Sequence, residues 1–514
     1  MNGAWTPGGR TGRLRGESSD AGVRPRRLRS GEAAETARPS RREQANARVL
    51  QLRDEEILER RAFERLQPQA VGWRVGGLRL DADGLFAFLL FLPLLFMAKL
   101  GSAGAAAVAG LLPLYVFLRR ERLADVLWPR SFLFLPPALA VFSVLWSQAP
   151  SQTLKTGVEY GLTVLAGVLL SSARDQGAVL KGLCLAFLAY VAASIAFGGS
   201  VAVGVGAGGY AFSGLTGSKN LLGDIASSGL IVSLAVAMIG VRHRQWLWPA
   251  VGGAAMLLDL YVVGAARSAG ALLGLVMGAG ALLGLALLMP TGRVVRAWLT
   301  AALTLCLVAA GLSYRWLAQA LINLGAQAFD KDPTLTGRTY LWYRADDLIR
   351  EHPLLGRGYQ SFWIQGNIDA EGLWRYFGID ERGGFTFHNT AVEILVGLGA
   401  LGLAVIAGVT VIGAVFLVRR FVERPTIALC CWMSLFLYQF ARTPIETIGV
   451  APFYFSTVLA FAALGAGFGR LQAARIARPV YAPPGAAYAA APRGWAHARP
   501  TPEPGALRLL RREP

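Results

Sequence analysis

GRTYLWYRADDLIREHPLLGRGYQSFW, from Gly337 to Trp363, and FHNTAVEILVGLGALG, from Phe387 to Gly402, are the stretches whose reading decides the fold. The first lies within, and the second closes, an insert running from about Tyr314 to Thr390, the only long polar segment between apolar runs. Arginines, a histidine and aromatic rings are thereby carried to the mouth of a bundle of apolar helices, and chemistry is expected there.

Outward from the insert, the neighbouring runs are long enough to cross a bilayer, which takes roughly 17–25 residues each. They fall at about 84–100, 101–118, 131–147, 156–172, 178–197, 221–240, 246–264, 270–289, 297–313, 390–418, 425–440 and 451–468. Apolar residues make up 54% of the 514, charged residues only 16%, and mean hydropathy is +0.44. No alternating barrel pattern is present, and a backbone in lipid must satisfy its own hydrogen bonds, so helices are required. The expectation is an all-α polytopic membrane protein of about twelve transmembrane helices.

Lysine and arginine set the orientation. Arg119–Arg130, Ser171–Lys181, Val241–Gln245, Thr291–Arg296 and Arg419–Arg424 are basic connections and are placed in the cytoplasm, whereas Gly198–Gly217 and Thr443–Gly449 carry no basic residue. Both termini are then cytoplasmic and the insert faces the opposite side. This divides the chain into a basic tail at 1–82, nine spans over 83–313, the large loop at 314–389, three spans over 390–469 and a tail at 470–514 that is expected to be disordered. Glu43–Leu66 reads as a charged amphipathic helix along the inner face. The first apolar run starts near Leu85 behind a polar segment and is expected to act as its own insertion signal.

The net charge of +19 comes largely from the tails, and juxtamembrane basic segments are drawn to anionic lipid headgroups. Membrane lipid is therefore the expected partner, and nucleic acid is not. Cys184, Cys306, Cys430 and Cys431 all fall within expected spans, which argues against a disulfide framework. His243, His352, His388 and His497 lack metal-ligand spacing, so no metal is expected, although Asp330 and Asp332 could touch a divalent ion. No phosphate-cradling nucleotide loop is present, and no cofactor is expected.

Charge placed where charge is expensive then points to the site. Arg267, in GAARSAGALLGLV, lies at a span end; Lys219, in FSGLTGSKNLLGDIA, precedes a span beside Asn220; Arg338 opens a helix-like piece after Thr336 and Gly337. Cations meeting on the outer face make an anion site, and fork-shaped guanidinium groups suit phosphate oxygens. Each residue also has a plainer use. An arginine at a span end can snorkel to lipid phosphates, a His-Asn pair before a helix can be a cap region, and Trp342, Trp363 and Trp374 can be interface anchors or core.

Taken together, Lys219-Asn220, Arg267 with Ser268 and Gly270, the GRTYLW start at Gly337, HPLLGRGYQSF from His352, and His388-Asn389 resemble the superfamily of O-antigen ligases and exopolysaccharide polymerases over roughly 84–468. The resemblance implies a bacterial inner-membrane glycosyltransferase with a glycosyltransferase-C-like bundle and a large periplasmic loop. Its donor would be a glycan on undecaprenyl diphosphate, and its acceptor a glycan or lipid A-core. Polysaccharide export machinery is a further partner that the resemblance admits. Residue by residue, the family's essential arginines match Arg267 and Arg338, and its histidine matches His388.

Breaking a glycosyl diphosphate develops negative charge on the leaving oxygen, which pre-placed cations stabilise. Arg267 and Arg338 are the candidates for that task, with Lys219, Asn220 and Asn389 as substrate contacts. An imidazole, with an unperturbed pKa of about 6.5, suits removal of the acceptor proton. His388 is the candidate base, with Asn389 or Glu393 orienting it. Tyr340, Trp342 and Tyr359 are expected to flank acceptor sugars, and Asp346, Asp347, Asp380 and Glu381 to be solvated or bind hydroxyls. Metal-independent displacement with inversion is expected. FSGLTGSKNLLG tilts the expectation toward an exopolysaccharide or O-antigen polymerase. The alternatives are a ligase onto lipid A-core and a lipid-linked glycan transporter without chemistry, the last disfavoured by the lack of an internal repeat.

Overall fold

The computed structural model describes residues 72–75, 78–119, 123–202, 209–312, 337–380, 382 and 384–468, with backbone alone at 72–75, 78–80 and 304–312. The amphipathic helix expected at Glu43–Leu66, the tails before residue 72 and after 468, and Asp330, Asp332 and Glu381 lie outside these residues.

An antiparallel hairpin, β1 (Gly72–Val75) and β2 (Leu78–Asp81), leads into α1 (Ala82–Leu95), whose start is capped by the Asp81 carboxylate accepting from the Asp83 N–H. The chain continues through α2 (Met97–Leu100), α3 (Ser102–Arg119), α4 (Leu123–Leu127), a 3-10 segment, and α5 (Leu135–Phe142). Next come α6 (Pro150–Ser171) and α7 (Gln176–Phe197), then a second hairpin of β3 (Gly199–Ala202) and β4 (Tyr210–Gly214). The helices α8 (Lys219–Arg242), α9 (Leu247–Ala266), α10 (Ala269–Leu288) and α11 (Arg293–Leu312) precede the insert. The insert carries α12 (Arg338–Glu351) and α13 (Ile368–Phe377), and α14 (Thr390–Glu423), α15 (Ile427–Arg442) and α16 (Phe455–Ala466) follow it.

Seven helical segments among the described residues are long and apolar enough to cross a membrane, and three shorter apolar helices accompany them. The chain is a multi-pass, mostly helical membrane protein. Two short hairpins qualify the all-α expectation, the second lying inside the Gly198–Gly217 connection. Two boundaries also move. The third run begins at Leu123, so the basic Arg119–Arg130 connection is largely helical, and the fourth begins at Pro150, not 156. Proline suits the first helical position because its missing N–H has no intrahelical partner there.

At one end of the bundle, arginines cap carbonyls at helix ends, where the dipole favours positive charge. Arg119 donates to the Ser172 carbonyl at 2.8 Å, Arg130 to those of Gly465 at 3.2 Å and Phe468 at 2.6 Å, and Arg296 to that of Val422. The buried Asp83 is satisfied there by the Tyr115 hydroxyl at 2.7 Å and by the N–H groups of Arg174 and Asp175.

The opposite end receives the insert, which has its own core of Leu341, Leu348, Phe362, Leu373, Trp374 and Phe387 with Trp342 and Trp363 packed against it. It docks through a break in α14. Gly399 leaves helical geometry (φ 64°, ψ −165°), and the backbone groups released there pair with the turn at 353–358. Arg357 N–H donates to the Val396 carbonyl at 2.9 Å, Gly358 N–H to that of Gly397 at 2.9 Å, and Ala400 N–H to that of Pro353 at 2.9 Å. Buried backbone groups are nearly always satisfied in this way. Gly358 sits at φ 105°, and a Cβ placed on it would lie 2.3 Å from Ser147 Oγ. Gly358→Ala is therefore expected to cost about 1–3 kcal/mol in backbone strain alone, with the steric clash adding to it. Thermal unfolding of the purified protein in detergent checks this, and an unchanged midpoint would contradict the docking.

Candidate functional site

Three helix starts, two helix ends and one loop supply the site at the insert's end of the bundle. Ser218 caps α8 by accepting from the Leu221 N–H, which makes Lys219 and Asn220 the first residues of that helix. Arg267 ends α9 in the left-handed region (φ 47°, ψ 39°), and Ser268 follows as the residue before α10. The Ser268 hydroxyl donates to Asn220 Oδ1 at 3.1 Å, tying the Arg267 turn to the start of α8. Gly223 lets the two helices close, since a Cβ there would lie 3.1 Å from Ser268 Cβ. Lys219 is half-buried and Arg267 exposed.

Arg338 is the first residue of α12, after Gly337 in the left-handed region (φ 83°). Its Nη1 donates to the Ile445 carbonyl at 2.7 Å and its Nη2 to Glu446 Oε1 at 3.2 Å. A guanidinium carries five N–H donors, more than these two contacts consume. His388 takes a left-handed conformation (φ 52°) between the insert and α14, and its Nδ1 lies 3.4 Å from Glu446 Oε2. Phe385 meets the imidazole edge-on at 5.7 Å. One carboxylate thus touches both Arg338 and His388, each oxygen serving one of them. The Arg338 and Arg267 turns adjoin through Ile445, whose Cδ1 would lie 2.9 Å from a Cβ placed on Gly270.

Glu446 is held by the start of α14. Thr390 N–H donates to the Thr443 carbonyl at 2.9 Å, the Thr390 hydroxyl to the Glu446 carbonyl at 2.8 Å, and Ile448 N–H returns a bond to that hydroxyl at 2.9 Å. Asn389 completes the strap with Nδ2 donating to the Pro444 carbonyl at 3.1 Å, while its Oδ1 caps α14 by accepting from Ala391 and Val392. Burial works against charge on Glu446, but the hydrogen bond to His388 and the positive charges of Arg338 and Arg442 outweigh it and hold its carboxyl below the usual range.

Several expectations change here. Neither Asn389 nor Glu393 orients His388: Asn389 is a helix cap, and Glu393 Oε2 accepts from the Phe387 N–H at 2.9 Å. Trp342 turns inward, with Nε1 donating to the Phe387 carbonyl at 2.9 Å. Tyr359 is buried, stacked on Tyr160, with its hydroxyl donating to the Val450 carbonyl. Tyr340 is exposed and its ring pairs with Tyr376 at 4.4 Å. Asp346 and Asp347 form ion pairs with Arg350 and Arg344 on their own helix. Glu446 was not singled out from the sequence. Its signal was a lone acid at a span end, the same costly placement that drew attention to Arg267.

Beneath the strap, Arg442 at the end of α15 pairs with Asp224 on α8, and the Tyr438 hydroxyl donates to the same Asp224 oxygen at 2.9 Å. Both charges are almost fully buried, so removing one partner strands the other. Arg442→Ala is expected to lose about 3–5 kcal/mol, and Arg442→Met with Asp224→Asn to recover most of it. Thermal unfolding of the three proteins decides this; a double variant as unstable as the single one would contradict it.

The chain matches the family described as O-Antigen ligase over residues 254–407, which takes in Arg267, Arg338 and His388. It is also 33% identical over 347 residues to the exopolysaccharide production protein ExoQ of Rhizobium meliloti, an alignment that covers 64% of this chain and 75% of that protein.

Proposed function

The chain belongs to the O-antigen ligase family, and from that premise we propose that it is a glycosyltransferase of cell-surface polysaccharide synthesis. The donor is a glycan on undecaprenyl diphosphate, and the acceptor is a sugar hydroxyl at the outer, periplasmic face of the inner membrane. We read α6 and α11 as crossings alongside the apolar helices already described, giving about twelve with both termini in the cytoplasm. The observation that carries the proposal is the meeting of Arg338 and His388 on one carboxylate, beside the turn that carries Arg267.

In this mechanism the diphosphate sits at Arg267 and Arg338, with Lys219 and Asn220 in support. Arg267, Arg338 and Lys219 stabilise the charge that collects on the leaving phosphate oxygen. His388 takes the proton from the acceptor hydroxyl as its oxygen attacks the anomeric carbon, and the carbon–phosphate oxygen bond breaks with inversion. The leaving-group charge is assigned to side chains, so transfer is expected to persist in EDTA. Exposed Tyr340 offers a ring face for a sugar.

Similarity to an exopolysaccharide production protein favours a polymerase over a ligase. The deciding experiment mixes the purified protein in nanodiscs with undecaprenyl-diphosphate-linked repeat units, with and without lipid A-core. Longer carrier-linked chains formed without the core identify a polymerase, and product formed only with the core identifies a ligase. No product from a native donor would remove the enzymatic proposal and leave a carrier.

A further inference from the structure

We propose that Glu446 is the positioning residue of this site, fixing the imidazole of His388 through Nδ1 so that Nε2 serves as the base, while the same carboxylate sets the place of Arg338. The inference rests on the glycosyl-transfer proposal for its catalytic meaning, but its geometry stands independently. An ionised carboxylate only accepts hydrogen bonds, so in the neutral imidazole the 3.4 Å contact between His388 Nδ1 and Glu446 Oε2 places the proton on Nδ1 and leaves Nε2 as the ring's acceptor. The other oxygen lies 3.2 Å from Arg338 Nη2. Base and cation are therefore held by one group, and a shift of Glu446 loosens a contact of each.

The backbone makes this arrangement stiff. Glu446 lies in the α15–α16 connection, far from His388 in sequence, and is brought back by hydrogen bonds between Thr443, Pro444, Glu446 and Ile448 on one side and Asn389 and Thr390 on the other. His388 immediately precedes those two residues, so the strap and the imidazole share one segment. Other titratable groups that interact with Glu446 are Arg338 on α12, Arg442 at the end of α15, Asp224 on α8 and Tyr454 before α16. Glu393 on α14 is engaged with the backbone of Phe387. Among these groups Glu446 is the one within hydrogen-bonding reach of the imidazole.

Glu446→Gln keeps the shape and removes the charge, and Glu446→Asp keeps the charge on a shorter arm. Two readouts are needed. Carbethoxylation of His388 by diethylpyrocarbonate at a fixed pH, followed by peptide mass spectrometry, requires no glycan donor. Its rate is expected to rise several-fold in Glu446→Gln, which weakens the hold on Nδ1 and lets the ring turn, and to return toward the parent value in Glu446→Asp. In the nanodisc transfer assay, Glu446→Gln is expected to lower kcat by about 10–100-fold with KM little changed. An unchanged modification rate in a folded Glu446→Gln protein would overturn the positioning role. Should the rate change while His388→Ala still transfers glycan normally, the catalytic role of His388 falls and the contact with Glu446 stands.

Discussion

Replacing His388 by alanine is expected to lower glycan transfer by about 10²–10⁴-fold, the usual contribution of a positioned general base, while donor binding stays close to that of the parent. The split follows from the geometry. The imidazole faces Glu446 and Phe385, whereas the diphosphate is assigned to the guanidinium groups of Arg338 and Arg267. Retention of donor can be read by co-purification of radiolabelled undecaprenyl-diphosphate-linked glycan with the nanodisc protein. Turnover at the parent rate would remove His388 from the mechanism.

Arg338→Lys is expected to be nearly as damaging, lowering kcat by about 10²–10³-fold, the range seen when a stabilising donor is lost at a developing negative charge. Lysine keeps the positive charge but not the fork. Arg338 spans the Ile445 carbonyl at 2.7 Å and Glu446 Oε1 at 3.2 Å with two different nitrogens, and a single ammonium on a flexible stem cannot hold both and still face an anion. The loss should appear in kcat more than in KM, since the charge it answers grows mainly as the bond breaks. Activity within a few-fold of the parent would mean that Arg338 supplies field strength alone and that its directional contacts are incidental.

Much of the fold was legible in the sequence because apolar run length is a local signal. The order of the apolar helices, the polar insert and the helix starts at Lys219, Arg338 and Thr390 all follow from short-range chemistry: caps, glycine turns and hydrophobic runs. The earlier start of α6 was also available, since Pro150 marks a first helical turn. What could not be read was closure in three dimensions. Glu446 is a lone acid in a short connection whose sequence does not name its partner, and only the return of the α15–α16 loop over the start of α14 places it 58 residues back along the chain against His388. Glu393 and Asn389 looked better placed by sequence distance, yet helix geometry turns them to the Phe387 N–H and to the cap. The break at Gly399 was likewise hidden, because glycines in apolar runs ordinarily signal close helix packing. Tyr359 shows the same limit: only its contact with Val450 and Tyr160 reveals it as core.

The most direct measurement is the release of undecaprenyl diphosphate by the purified protein, counted against new glycosidic bonds in the same reaction, for the parent and for His388→Ala. Transfer at this site requires about one carrier diphosphate released per linkage formed by the parent and almost none of either from the variant. Donor held tightly by both proteins, with no release and no linkage in a preparation shown to be folded, would contradict the enzymatic account and make the cations of this site those of a carrier.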